Sequence, residues 1–395
     1  MAKVFIEEST LTAIGNAIRE KTGKTELLDP ALMSSEIASI TTGGGSGLEL
    51  PEEALTLTGD CSYRFAKGGW DWFIETYGDR IVTKDITYII NCFDGSNVSE
   101  IPFVINIKEL PSLTSTFSSA SKLSKCPKVR GSFKSPVQLN AAVSGCSWLR
   151  DIEDLLEPDM LNDFSTYKVT SSSTCPRALG ITNCRSLRKL PSWWNKFRLN
   201  TESTAVPLAS NIMYYQAFSG CYVLDEVVDL PVWVCTAPFT SNMFNGCVSN
   251  MYLLKKFTFE TDSGQPIVAN WKTQTLDFSS AGFTSSTYKT HLLNYNSGIT
   301  ADKEVNDDAT YQALKNDPDW FSTKLEYSKY NLASATETIN SLPDTSAYLA
   351  TAGGTNTIKF KKNSGINTDG GGITADTMAE ASAIAASKGW TVTIA

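Results

Sequence analysis

The stretch that decides the fold reading is Phe218-Ser219-Gly220-Cys221, followed by Leu224 and Val227. An apolar residue leads, two small or polar residues follow, a small residue takes the fourth place, and apolar residues return three and six positions later. Ile181-Thr182-Asn183-Cys184 with Leu187 and Leu190 repeats the unit. Val143 with Cys146, Leu149 and Ile152 is a third copy, and Phe117 with Ala120, Leu123 and Cys126 a fourth. Phe93 with Ser96, Val98 and Ile101 is one residue short. Phe244-Asn245-Gly246-Cys247 opens a sixth copy that slips, because Met251 stands where position 250 should be apolar. The leading residues are 24, 26, 38, 37 and 26 apart.

Self-similarity at this period marks stacked supersecondary units, each leaving an apolar face that only its neighbours can cover. Apolar residues three apart suit one coil of a solenoid bending between a short strand and a tight corner, and a small Cys fits where coils crowd. Pro after the last apolar residue, as in Ile101-Pro102, Leu190-Pro191 and Leu230-Pro231, stops a helix at that corner. The two long spacings hold insertions at 156–180 and 198–214, expected as loops.

Outside the repeat, Leu11, Ile14, Ala17 and Ile18 share one helical face, closed by Gly23, and Asp29-Pro30 opens a second helix with Leu32, Met33 and Ile37. About 40 residues in two helices bury too little surface to stand alone, so this module should dock on a partner or on its own copies. Thr41 to Gly47, with four glycines, reads as a flexible linker. Toward the C-terminus, 320–330 and 357–360 read as strands, 333–342 and 375–387 as helices, and Gly389 as the stop before a strand at 390–394. The domain reading is therefore 1–42 helical module, 43–50 linker, 51–260 repeat domain with an N-terminal cap, and 261–395 connecting region plus a small terminal unit.

A chain of 395 residues should hold two or three structural units. Charged residues are 19% and Ser plus Thr number 85, so the surface is hydroxyl-rich rather than ionic. A net charge of −8 disfavours nucleic acid, which needs clustered Lys and Arg. The one histidine, His291, removes two-histidine metal sites, and no cofactor is expected. The nine cysteines form no CxxC pair, and Ser96 and Ala120 replace Cys in equivalent copies, which favours buried free thiols over disulfides or ligands. No apolar run is long enough to span a bilayer and no signal peptide is evident, so synthesis in the cytoplasm without membrane insertion is expected.

Three groups compete as chemistry. Asp151, Glu153, Asp154 and Glu157 could supply a carboxylate pair for glycoside hydrolysis, but read better as a solvated acidic face. Asp302, Asp307 and Asp308 lack the spacing and glycine of a calcium loop. The aromatics Trp193-Trp194, with Arg198, and Tyr214-Tyr215 are the candidate partner contacts, since adjacent residues of an extended segment face opposite ways. Trp70 and Trp72 read as packing.

The spacing Phe-x-x-Cys-x-x-Leu-x-x-Ile/Leu-Pro resembles the leucine-rich repeats of bacterial surface-antigen, BspA-like type, over about residues 84 to 260. The opening 11–23, with 29–33 and 36–37, is similar to the N-terminal module of many tail, baseplate and fibre proteins of bacteriophages and prophages. Segments 58–65, 69–74 and 385–392 resemble parts of the same proteins. The resemblance implies a mixed α/β, mostly β fold: a leucine-rich-repeat-like solenoid preceded by a helical anchor and closed by a small α+β unit. It further implies a virion structural protein, not an enzyme, on the particle exterior. Leu11, Ile14, Ile18, Leu32, Met33 and Ile37 would hold other virion proteins. The repeat face would meet a host cell-surface glycan or protein, with Trp193, Trp194, Arg198, Tyr214 and Tyr215 as contacts. Such fibres are commonly homo-oligomers, often trimers. The expected role is a tail-fibre or baseplate-associated receptor-binding protein; the alternatives are a head fibre or decoration protein of the capsid, and a glycan depolymerase of the tail.

Overall fold

A computed structural model describes residues 12, 14–19, 50–138, 141–157, 160, 181–196, 214–232, 239, 242–251, 254–261, 266–281, 330–362 and 371–395. The chain divides into two compact units, Met1–Leu161 and Asn162–Ala395.

In the first unit, successive copies of the repeated segment mate backbone to backbone. Number each copy from its leading apolar residue. The N–H groups two before, at, and two after that residue donate to carbonyls of the next copy: Asn91 to Thr114 at 3.2 Å, Phe93 to Thr116 at 2.7 Å, Gly95 to Ser118 at 2.8 Å. The same set joins Tyr63, Phe65 and Lys67 to Ile90, Cys92 and Asp94, so an earlier copy led by Phe65 precedes Phe93. For alternate N–H groups to point along the stack, the residues at −2 and +2 must adopt left-handed φ. Tyr63, Asn91, Ser115 and Ala141 do so at −2, and Lys67, Gly95, Ser119 and Gly145 at +2. Inside, the rings of Phe65, Phe93 and Phe117 stack in line at 5.2 and 5.5 Å. In the Phe117 copy every third residue after the lead is buried: Ala120, Leu123, Cys126 and Val129. The parallel strands β1 (Thr56–Asp60), β2 (Val82–Tyr88), β3 (Ile105–Ser112) and β4 (Val129–Gln138) pair in chain order. The helix α1 (Glu52–Leu55) leads into β1, and α2 (Asp71–Tyr77) leaves the Phe65 copy. Trp70 and Trp72 stack at 5.6 Å beside Phe73.

The second unit uses the same bonds from Gln216, Phe218 and Gly220 to Asn245, Cys247 and Ser249. That register makes Val248, not Phe244, the leading residue of the sixth copy. Met251, Leu254 and Phe257 then fall on the buried three-residue period, and the slip disappears. Strands β5 (Glu226–Leu230) and β6 (Lys256–Phe259) pair in parallel. A separate parallel sheet joins β7 (Thr275–Phe278), β8 (Asn356–Phe360) and β9 (Trp390–Ile394), with α3 (Leu332–Ser341) and α4 (Ser346–Ala352) before β8 and α5 (Ala379–Ser387) between β8 and β9. Buried Gln274 and Asn356 tie these segments together, the Asn356 carboxamide accepting from Gln274 N–H at 2.9 Å and donating to Trp271 O and Thr345 Oγ1.

These observations overturn the expected mostly-β, leucine-rich-repeat-like solenoid with a segregated α+β end. Among the described residues helix and strand occur in nearly equal shares, 24% and 23%, and the strands form three small parallel sheets of four, two and three strands within compact units. Copy-to-copy contact runs through the left-handed turns as well as the paired strands, where unequal spacings and register shifts interrupt the ladder. Helices alternate with the parallel C-terminal strands instead of standing apart from them.

The edge of β6 is covered by hydroxyls of α3. Ser334 Oγ and Thr338 Oγ1 donate to the carbonyls of Lys255 and Phe257, and Ser341 Oγ accepts from Phe259 N–H at 3.0 Å. Positions 334, 338 and 341 lie on one helical face, so three side chains satisfy a strand edge that would otherwise be buried unpaired. Thr338→Val keeps the volume but removes the hydroxyl that donates to Phe257 O and is bonded to the Tyr330 hydroxyl. A loss of about 1–3 kcal/mol is expected in denaturant unfolding, whereas Thr338→Ser should keep most of the stability.

Candidate functional site

Ile14 and Ile18 lie on a helix at residues 14–19 and are 1% and 0% exposed, so their apolar face is already covered by the chain itself. Thr12 and Asn16 are exposed. Leu11, Leu32, Met33 and Ile37 fall outside the described residues.

Of the aromatic contacts, Trp193 and Tyr214 are core residues, 0% and 1% exposed, and Trp194 is 8% exposed. Trp193 stands twelve after Ile181 and so on the inward three-residue period, in the position of Val129 and Leu230. Tyr214 stands four before Phe218, as Ile89 and Leu113 stand before Phe93 and Phe117. Its ring stacks on Phe244 at 5.7 Å and its hydroxyl donates to Pro231 O at 2.7 Å. Neither ring is offered to a partner, which corrects the reading of Trp193 and Tyr214 as receptor contacts. Tyr215 is half-buried, as alternation requires, and Arg198 lies outside the described residues.

The acidic run in the first unit is neutralised by the preceding copy. Lys125 Nζ is 3.0 Å from Asp154 and 3.7 Å from Asp151, and Arg130 Nε is 2.6 Å from Glu157. The Lys125 ammonium, hydrogen-bonded to Asp154, holds that carboxyl below its ordinary value, opposite to what a general acid needs. A carboxyl depressed in the folded state stabilises above its unfolded pKa and loses that contribution as the pH falls through the folded one. Acidification below about pH 4 should therefore weaken the first unit, and Asp154→Asn should flatten that pH dependence. Thermal unfolding from pH 6 to pH 2.5 checks it.

The described cysteines are buried and form no disulfide: Cys61, Cys92, Cys126, Cys146, Cys184, Cys221 and Cys247. Several do more than fill space. Cys146 Sγ donates to Phe117 O at 2.8 Å and Cys221 Sγ to Ile181 O at 2.9 Å, each reaching the lead carbonyl of the preceding copy. Burial pushes both thiols up to about 12, leaving them unreactive. Among the described residues no three His, Cys, Asp or Glu side chains gather to hold a metal, and no helix is long and apolar enough to cross a membrane. Asp302, Asp307 and Asp308 lie outside them.

One concave feature among the described residues of the second unit is a cleft of about 470 Å3, lined by Lys189, Leu190, Trp194, Asp225, Glu226 and Val228. It opens between the copies led by Ile181 and Phe218. Among the described residues β5 pairs with β6, and 187–190 is not a strand. Trp194 forms part of its wall, set edge-on against Phe218 at 6.0 Å. Asp225 Oδ2 meets Lys255 Nζ at 3.2 Å, while Lys189 and Glu226 are exposed. Of these residues sequence reading singled out Trp194 and Leu190; Lys189, Asp225, Glu226 and Val228 had no signal beyond lying near the corner where the spacing widens to 37. Compared with known proteins, the chain matches no family model, no curated protein and no solved structure.

Proposed function

We propose that the chain is a bacteriophage virion structural protein, a tail-fibre or baseplate-associated receptor-binding protein that attaches the particle to the host cell surface. The cleft between the Ile181 and Phe218 copies carries this reading: copies joined by Asn183 N–H donating to Ser219 O at 2.7 Å and by Cys221 Sγ donating to Ile181 O at 2.9 Å hold a partly polar recess, which suits binding. The order of the segments that resemble phage tail proteins supports it. The ion-paired state of Asp151, Asp154 and Glu157 supports a binding role over a depolymerase. Several copies on one particle would turn weak contacts into firm attachment through high effective concentration.

Immunogold labelling of purified particles with antibody against the whole chain tests the placement. Gold at the tail tip or baseplate is expected. Gold on the capsid would make the chain a head fibre or decoration protein, and unlabelled particles would remove it from the virion.

A further inference from the structure

We infer that the cleft between the Ile181 and Phe218 copies binds a neutral saccharide, seated with a ring edge against Trp194, Leu190 and Val228 and its hydroxyls shared between Lys189 and Glu226. The inference rests on the attachment reading above and names the ligand class for it.

The lining argues for an uncharged polyol rather than an ion. Among the described lining residues Lys189 carries one positive charge and Asp225 and Glu226 two negative ones, and Lys255 on Asp225 at 3.2 Å brings these to zero. An anion would meet Glu226 and a cation would meet Lys189, in either case without a matching excess of opposite charge. A pyranose has what this wall can use: C–H groups for the apolar and aromatic side, and hydroxyls that donate and accept together. The Glu226 carboxylate only accepts and the Lys189 ammonium only donates, so the pair can serve adjacent hydroxyls of one ring. The volume of about 470 Å3 lies within the range of small-ligand clefts and suits a short saccharide better than a long extended peptide. Both polar side chains are exposed while the apolar wall is fixed by packing, with Trp194 held against Phe218, so the recess is preformed.

Full-length chain, Lys189→Ala, Glu226→Ala and the double variant would be passed over immobilised oligosaccharides of glucose, galactose, rhamnose and N-acetylglucosamine, and separately incubated with intact host cells. Both side chains are exposed, so each variant should keep the unfolding midpoint of the parent chain. Retention of the parent on at least one saccharide, with about tenfold weaker retention for each single variant, is expected. No retention of the parent, or equal retention of parent and double variant, would overturn the saccharide assignment. If the double variant still coated host cells as the parent does, the cleft would be excluded while attachment stood. If the parent failed to coat cells at all, the attachment reading itself would fall. Displacement by an extended peptide, but by no sugar, would assign the cleft to peptide binding and refute the inference.

Discussion

Replacing Phe93 with Ala should cost the first unit about 3–5 kcal/mol, the range for emptying a buried aromatic site. The ring is 1% exposed and lies between Phe65 and Phe117, at 5.2 and 5.5 Å with interplanar angles of 14° and 10°. Phe103 closes the side at 6.3 Å. Removing the ring breaks two stacked pairs at once and leaves a void that the flanking copies cannot close, because three backbone hydrogen bonds hold each copy against the next. The control is Val82→Ala, at a side chain 58% exposed on β2, expected within about 0.5 kcal/mol of the parent. Denaturant titration of both variants gives the comparison. Equal stability of the two would mean that the aromatic column does not hold the copies together.

Gly131→Ala should be comparably damaging for a different reason. Gly131 sits in β4 at φ +126, a conformation denied to residues with a Cβ, and an added Cβ would stand 2.0 Å from Ile107 O and 2.8 Å from Ile107 Cγ1. The obstructing atom is backbone of β3, so the strand pair must shift. Strained dihedral and overpacking together should cost about 3 kcal/mol or more. Gly59→Ala separates the two effects, since Gly59 has φ +67 but nothing within 4 Å of the added carbon. It should lose only about 1–2 kcal/mol, the left-handed penalty alone. If Gly131→Ala proved no worse than Gly59→Ala, the close approach of β4 to β3 would be wrong.

The three-residue period was legible because buried positions must be apolar or small: Leu123, Leu149, Leu187 and Leu224 all carry it, and all are 0% exposed. The C-terminal elements were legible through end signals, with Gly389 at φ +81 just before β9. What failed was the extrapolation from local repeat to architecture. The residues that bind one copy to the next do so through main-chain N–H and C=O groups, which any side chain can carry. Tyr63, Lys67, Ala141 and Gln216 take left-handed φ without belonging to the residue types that announce it. The same blindness misplaced the sixth copy, since Phe244-Asn245-Gly246-Cys247 imitates the lead motif while the backbone bonds choose Val248. It also misjudged Trp193 and Tyr214, whose burial follows from positions twelve after and four before a lead residue. The cleft was the least legible feature, because its lining joins residues of two copies, Lys189 and Leu190 with Asp225, Glu226 and Val228, that no single stretch of sequence brings together.

The attachment claim is met most directly by a competition measurement. Host cells preincubated with purified full-length chain should adsorb particles more slowly, with the rate falling as the chain saturates the surface and recovering when the cells are washed. An adsorption rate unchanged at concentrations that coat the cells, or a chain that does not coat them at all, would contradict the account.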